Sequence, residues 1–409
     1  MKNPGFITEY MGLDRSIYVL FAARIVNRMG DFVQLFLVFY LTTRLGFDEA
    51  AAGRFIMLTG VMNGFGILLG GYLSDRINRK VVLVFCQVVL AVSYLICGFL
   101  PISMAVPWLI FVSSSFRGAT WPVTNAMVTD LTEGLERKRA FSLLYLGTNI
   151  GVAVGPIIAG LLFTNHLNWI FWGDAATTLF AASAVLFLVP DTKPTKEKIK
   201  ENLASRVDGE RAEEGGFLSV FFKRPALITY LLIASLISFV YSQHQFSLPL
   251  QINELFSTNG PKTFGYIMTS NAIIVLLFTA PLTYITKRAK PITNMAIAGF
   301  LYFLGFGMIL FIQSLGMFII STCIWTFGEI LMVTNSNVYV ASHTPITHRG
   351  RFNGLITWVH GIGFALSPWI SGWIIEVNGV SAIWPVVSAV AAVGAVLYWI
   401  MSVSQKNRQ

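Results

Sequence analysis

Gly70-Gly71-Tyr72-Leu73-Ser74-Asp75-Arg76-Ile77-Asn78-Arg79-Lys80 ends a long Gly-containing apolar run with an acid and a basic cluster. In a water-soluble chain that change of character would read as a helix end. Here the apolar residues before it, Phe55 to Leu69, approach the length a helix needs to cross a hydrocarbon core, so the charges mark a membrane surface.

Composition widens this reading to the whole chain. Of 409 residues, 55% are hydrophobic and 12% charged, against about 25% charged in a soluble globular domain. The class is therefore a polytopic membrane protein. A net charge of +9 raises nucleic acid as a partner, but the Lys and Arg residues gather in alternate loops, as the positive-inside rule requires. Cys86, Cys97 and Cys323 all fall inside apolar runs without paired spacing or a histidine cluster, which suits neither a disulfide nor a metal site. The polar stretch before Arg15 and the charged first apolar run lack a cleavage pattern, so the first span is expected to stay in the mature protein.

Apolar runs separated by charge or Pro/Gly loops predict twelve spans, at 16–42, 50–74, 81–101, 105–130, 138–164, 168–190, 225–252, 261–287, 291–312, 315–342, 350–378 and 380–403. With both termini in the cytoplasm, the inner loops hold Arg76, Arg79 and Lys80; Arg137, Lys138 and Arg139; Lys287, Arg288 and Lys290; and Arg349 and Arg351. The outer loops hold little beyond Arg44, Arg54 and Lys262. The hydrophilic, mixed-charge stretch 191–224 reads as a cytoplasmic linker between an N-terminal six-helix bundle, 1–190, and a C-terminal one, 225–409. Sliding the chain by about 211 residues lays Gly155-Pro156 on Ser367-Pro368 and Gly160 on Gly372, so the halves read as parallel repeats. The expected fold class is an all-α polytopic membrane protein with twelve transmembrane helices in two pseudo-symmetric bundles.

Polar residues inside such spans cost enough to need a protein or water setting. Arg24, Asn27, Arg28, Asp31 and Gln34 recur at steps of three or four along the first span, on one helix face. They line a cavity, or Arg28 and Asp31 form a local pair near an interface. The repeat offset carries this stripe onto Ser235, Ser238, Ser242 and Gln245 of the seventh span, the coincidence a shared central cavity would produce. Arg117 in span four and Glu329 in span ten also correspond. Glu329 is a candidate proton or cation site, the alternative being a permanent ion pair. Asp130 reads as a helix-end ion pair, and Asp174 as an N-terminal cap of its own helix near the outer interface. His244 borders the seventh-span stripe, and His360 has no polar company.

The opening stretch resembles the loop between the second and third membrane helices of the major facilitator superfamily, whose pattern is roughly G-x-L-x-D-R-x-G-R-K/R. Gly71, Leu73, Asp75, Arg76, Arg79 and Lys80 match, and Asn78 stands where the family usually has Gly. Arg117 resembles the fourth-span arginine of the proton-coupled members. Glu329, in a Gly-Glu dipeptide, resembles the acidic tenth-span site of some multidrug/proton antiporters. Gly147, Gly151, Gly155-Pro156 and Gly160 resemble the fifth-span signature of the antiporters, with Ser142 and Ala159 where glycines are usual. The resemblance implies alternating access; Asp75 and Arg76 are expected to latch the cytoplasmic side in the outward-open state, while Arg79 and Lys80 chiefly fix topology.

It also implies proton-coupled export of amphipathic small molecules, with the proton gradient as energy source and no cofactor or metal. Expected partners are a small-molecule substrate, protons and the lipid bilayer of the cell membrane, for a monomer. An alternative is proton-coupled import of organic anions or peptide-like solutes, which Arg24 and Arg28 favour. A membrane enzyme is disfavoured, because no His-Glu-x-x-His, Gly-x-Ser-x-Gly or nucleotide-binding Gly-Lys motif is present.

Overall fold

The computed structural model describes residues 10–192, 225–343 and 349–406, with the side chains of Asp75 and of 341–360 among those left out. Residues 193–224 of the expected linker, the Asp75 carboxylate and the side chains of Arg349, Arg351 and His360 thus lie outside the described residues. Among those described, all regular structure is helical. Inside a bilayer a helix satisfies its own peptide groups, and an apolar stretch has no cheaper way across.

The first half holds α1 (Arg15–Met29), α2 (Phe32–Phe39), α3 (Glu49–Arg76), α4 (Arg79–Phe99), α5 (Ala105–Leu131), α6 (Gly134–Asn165) and α7 (Leu167–Leu188). The second holds α8 (Pro225–Ser242), α9 (Ser247–Phe256), α10 (Gly260–Thr286), α11 (Pro291–Gly307), α12 (Leu315–His343), α13 (Arg349–Asn378) and α14 (Ile383–Lys406). Counting α1 with α2 and α8 with α9 as single crossings, these are twelve membrane helices in two six-helix halves. The first and seventh spans are not continuous, however: each is two helices with a break between them.

Both halves pack in one pattern. In the first, α1 lies against α6 and α7, and α4 against α5 and α7; in the second, α8 lies against α13 and α14, and α11 against α12 and α14. The repeat read from sequence is thus a repeat of helix neighbours. The core of the first half gathers Ile17 and Leu20 from α1, Val123 and Met127 from α5, Leu143 from α6 and Val185 from α7.

The chain folds as two compact units, and the division departs from the expected boundary at one place: Gly46–Met57 groups with the C-terminal unit. Small residues allow close approach within that unit: Gly372 of α13 rests on the Glu49 carbonyl, where a side chain would collide with backbone.

Candidate functional site

Gly30 and Asp31 interrupt the first span, with φ −94°, ψ 3° and φ −72°, ψ 59°. The break frees peptide groups that a bilayer cannot solvate, so they need partners. The N–H of Gly30 reaches the Val26 carbonyl at 3.1 Å, and that of Phe32 reaches Gly30 at 2.7 Å. The N–H of Val33, at the start of α2, donates to Asp174 Oδ2 at 3.2 Å. Asp174 is 4% exposed and about two turns into α7. It caps α2 across the bundle rather than its own helix at the outer interface, which corrects the sequence expectation.

Asp31 sits at the break between two arginines. Arg28 Nη1 donates to Asp31 Oδ2 at 2.8 Å, and Arg117 Nη2 donates to Asp31 Oδ2 at 2.9 Å and Oδ1 at 3.1 Å. The side chains are 23–27% exposed, open on one side to a cavity of about 220 Å³. Arg24, Asn27, Arg28 and Asp31 line this cavity with Gln87, Arg117, Trp121 and Asp174. The Arg24 guanidinium lies over the Trp121 ring, 5.1 Å from its centroid, and Asn27 Nδ2 donates to Thr178 Oγ1 at 3.2 Å. The four residues up to Asp31 therefore share a chamber, but Gln34 is not part of its lining: the stripe ends where the helix axis is broken. The local Arg28–Asp31 pair and the cavity-lining role coexist.

The seventh span breaks one turn further along than the repeat places it. Gln243 holds that break: its Nε2 donates to the Phe239 carbonyl at 3.1 Å and to Ser367 Oγ and Ser371 Oγ at 2.7 and 3.0 Å, and Ser247 Oγ donates back to its Oε1. Ser242 is 1% exposed and donates to the Phe239 carbonyl of its own helix, while Gln245 is exposed. Gln243, which the stripe skipped, does the positioning.

Glu329 lies in α12 among neutral donors. Asn271 Nδ2 donates to Glu329 Oε2 at 2.8 Å and to Thr326 Oγ1 at 2.9 Å, and the Tyr241 hydroxyl donates to Glu329. No Lys or Arg forms an ion pair with it among the described residues. Tyr241 stacks on Tyr302 at 5.9 Å and meets the His244 ring at 4.4 Å with the planes tilted by 44°. His244 is 4% exposed and bonds the Tyr241 carbonyl.

The charged loop between α3 and α4 staples its own bundle. Arg79 pairs with Asp130 of α5 and donates to the Ala126 carbonyl at 2.9 Å, so the helix-end ion pair of Asp130 is made within this motif. Lys80 Nζ donates to the Val189 carbonyl at 2.7 Å. Arg76 lies over Tyr72, 4.4 Å from the ring centroid. Asn78 earns its place as the N-cap of α4: Oδ1 accepts from the N–H of Lys80 at 2.9 Å and of Val81 at 3.3 Å, and Nδ2 donates to Asp191. A Gly there would leave those donors to water. Gly71 faces open space.

The glycine face of α6 packs on α1 at the break. A Cβ on Gly151 would sit 2.6 Å from the Ile25 carbonyl and 2.7 Å from Arg28 Cβ, and one on Gly155 would sit 2.7 Å from the Met29 carbonyl. Pro156 is buried beside them, inside the same helix. This small-residue seam lets α6 approach the backbone carrying Arg28 and Asp31 closely.

Sequence reasoning gave Asp174 the wrong helix to cap, and it missed Gln243, Gln87, Trp121 and the Asn271 and Tyr241 donors around Glu329. For Asp174 a signal existed, since a lone acid in an apolar span must be paid for by partners. The others are neutral residues whose roles depend on which helix lies opposite.

Comparison with known proteins agrees with this architecture. The family model described as Major Facilitator Superfamily matches residues 20–366 and 261–409. Among the more similar relatives, the Na(+), Li(+), K(+)/H(+) antiporter of Planococcus maritimus is 21% identical over 81% of this chain and 83% of its own. The multidrug resistance protein MdtH of Yersinia pestis is 26% identical over 77% and 75%. The crystal structure of a POT family transporter in complex with 5-aminolevulinic acid superposes with a TM-score of 0.79 at 16% identity, over 96% of this chain and 97% of that one. The relatives are transporters rather than enzymes, and with the matching model spanning nearly all of the helices, the chain belongs to the Major Facilitator Superfamily.

Proposed function

We propose that this protein is a proton-coupled secondary transporter working by alternating access, most consistent with antiport that exports amphipathic small molecules. The observation that carries the reading is Asp31, a carboxylate at a mid-span break, held by two arginines from different helices and open to a cavity. Protonating that carboxylate would remove the charge holding Arg28 and Arg117, freeing α1, α2 and α5 to change their arrangement; reionising it would restore the pair. Glu329 is a second candidate carrier: among the described residues its donors are neutral, and no Lys or Arg there competes with a proton or a substrate cation for it. The antiporter and multidrug names of the relatives support export in exchange for protons. The loop residues Gly71, Asp75, Arg76, Arg79 and Lys80 are read as the cytoplasmic gate, with both termini on that side of the cell membrane, and Gly147, Gly151, Gly155, Pro156 and Gly160 as the seam along which α6 and α1 move. The energy source is the proton gradient, without a further cofactor.

Import of an organic anion or peptide-like solute is the second reading, favoured by Arg24 at the cavity wall. The test is flux in proteoliposomes under an imposed proton gradient, with dye-like cations and organic anions offered in parallel. Glu329→Gln keeps an oxygen to accept from Asn271 and Tyr241, so the fold should persist while gradient-driven flux is lost; unchanged pH-driven flux would remove Glu329 from the coupling path.

A further inference from the structure

Charge and hydrogen-bond satisfaction in the cavity of the first unit are out of balance in one direction. Three guanidinium groups, Arg24, Arg28 and Arg117, share it with two carboxylates, Asp31 and Asp174. Asp31 is taken by Arg28 and Arg117, and Asp174 by the Val33 N–H at the head of α2. Arg24 is left with no carboxylate in ion-pair reach among the described residues. Its contact is the Trp121 face, at 5.1 Å. A ring face offers no oxygen acceptor to the guanidinium N–H groups, which are the part that binds oxyanions.

Two further atoms of the same lining lack partners. Among the described residues, Arg28 Nε is buried with no acceptor, and Gln87 Oε1 is buried with no donor. A charge inside a membrane span without a counter-ion is costly, and so is a buried donor without an acceptor. What is missing beside Arg24 and Arg28 is a group rich in acceptor oxygens and negative in charge. The volume, about 220 Å³, is below the roughly 300–1,000 Å³ of a pocket for a drug-sized molecule, so it suits a head group rather than a whole amphipathic compound.

We propose that this cavity is the acidic head-group subsite of the transporter: it takes the carboxylate of an amphipathic organic acid on Arg24 and Arg28, with Gln87 accepting from a donor near that carboxylate. A planar carboxylate matches the guanidinium edge, and Ile67 and Leu90 in the same lining suit the first carbons behind it. A cationic head would instead meet Arg24, the guanidinium that no carboxylate of the lining pairs with. The inference rests on the reading of this cavity as part of the transport path, and it narrows the amphipathic substrates of that reading to anionic ones.

The test is equilibrium binding to the purified full-length protein in detergent, without a gradient, using three probes of one shape: naphthalene-1-carboxylate, naphthalene-1-carboxamide and naphthalen-1-ylmethylammonium. The unaltered protein should bind the carboxylate roughly 10- to 100-fold more tightly than the amide, the range for hydrogen bonds to a charged group. Arg24→Gln should erase that preference, and Arg24→Lys should keep part of it. Equal affinity for carboxylate and amide in the unaltered protein, tighter binding of the ammonium, absence of carboxylate binding, or an undiminished preference in Arg24→Gln would each overturn the proposal. The comparison of probes on the unaltered protein does not depend on any variant folding. Carboxylate-selective binding without gradient-driven flux would keep the subsite and refute the coupling; gradient-driven flux of the ammonium probe without carboxylate preference would do the reverse.

Discussion

Asp31 accepts three short contacts from two guanidinium groups, at 2.8, 2.9 and 3.1 Å, and its neutralisation is the sharpest perturbation available. Asp31→Asn leaves Arg28 and Arg117 facing each other without a counter-charge. Breaking a buried pair by removing one partner costs about 3–5 kcal/mol; with side chains 23–27% exposed the lower end applies, about 3 kcal/mol. Arg117→Gln is milder, about 1–2 kcal/mol, because Asp31 keeps Arg28. Removing both should cost less than the sum, with an interaction energy of about 1–3 kcal/mol. The assay is a double-mutant cycle by chemical unfolding in micelles, run beside flux in proteoliposomes. Asn mimics a carboxyl that never ionises, so Asp31→Asn should also lose gradient-driven flux. An interaction energy below about 0.5 kcal/mol, the level of independent sites, would refute the pairing as an energetic unit.

Two further outcomes follow from packing and capping. Gly151→Ala places a methyl against the Ile25 carbonyl and Arg28 Cβ, neither of which can give way, so α6 must move off α1 at about 1–3 kcal/mol, whereas Gly71→Ala meets nothing and should stay within about 0.5 kcal/mol; equal melting temperatures for the two would refute the seam. Asn78→Ala should cost about 1 kcal/mol through loss of the α4 cap and Asn78→Gly only a few tenths, as read from unfolding midpoints, and a larger loss in the Gly variant would show that the cap is not the reason for Asn.

The membrane class, the helical crossings and the doubling of the chain were all legible in one dimension, because they rest on local quantities. A hydrocarbon core selects apolar runs of a given length, and the clustering of Arg76, Arg79 and Lys80 at the end of one is visible without knowing what lies beside it. The Asn78 substitution in the family pattern was visible too, but its cause was not, since a cap is defined by the helix that follows. Arg24, Asn27, Arg28 and Asp31 could be grouped from their spacing because they share one helix face. Gln34 could not be separated from them, because the break at Gly30 and Asp31 is held by Asp174 of α7.

The same distinction divides the candidate site. Which residues are expensive inside a membrane follows from their chemistry, so Arg24, Asp31, Arg117 and Glu329 stood out from the residues alone. Who neutralises whom depends on helices far apart in the chain: Arg117 reaches Asp31 across 86 positions, Asp174 reaches Val33 across 141, and Asn271 reaches Glu329 across 58. Composition and periodicity carry no record of those distances. Only the packed bundle assigns each carboxylate its partner, and by doing so leaves Arg24 without a carboxylate among the described residues.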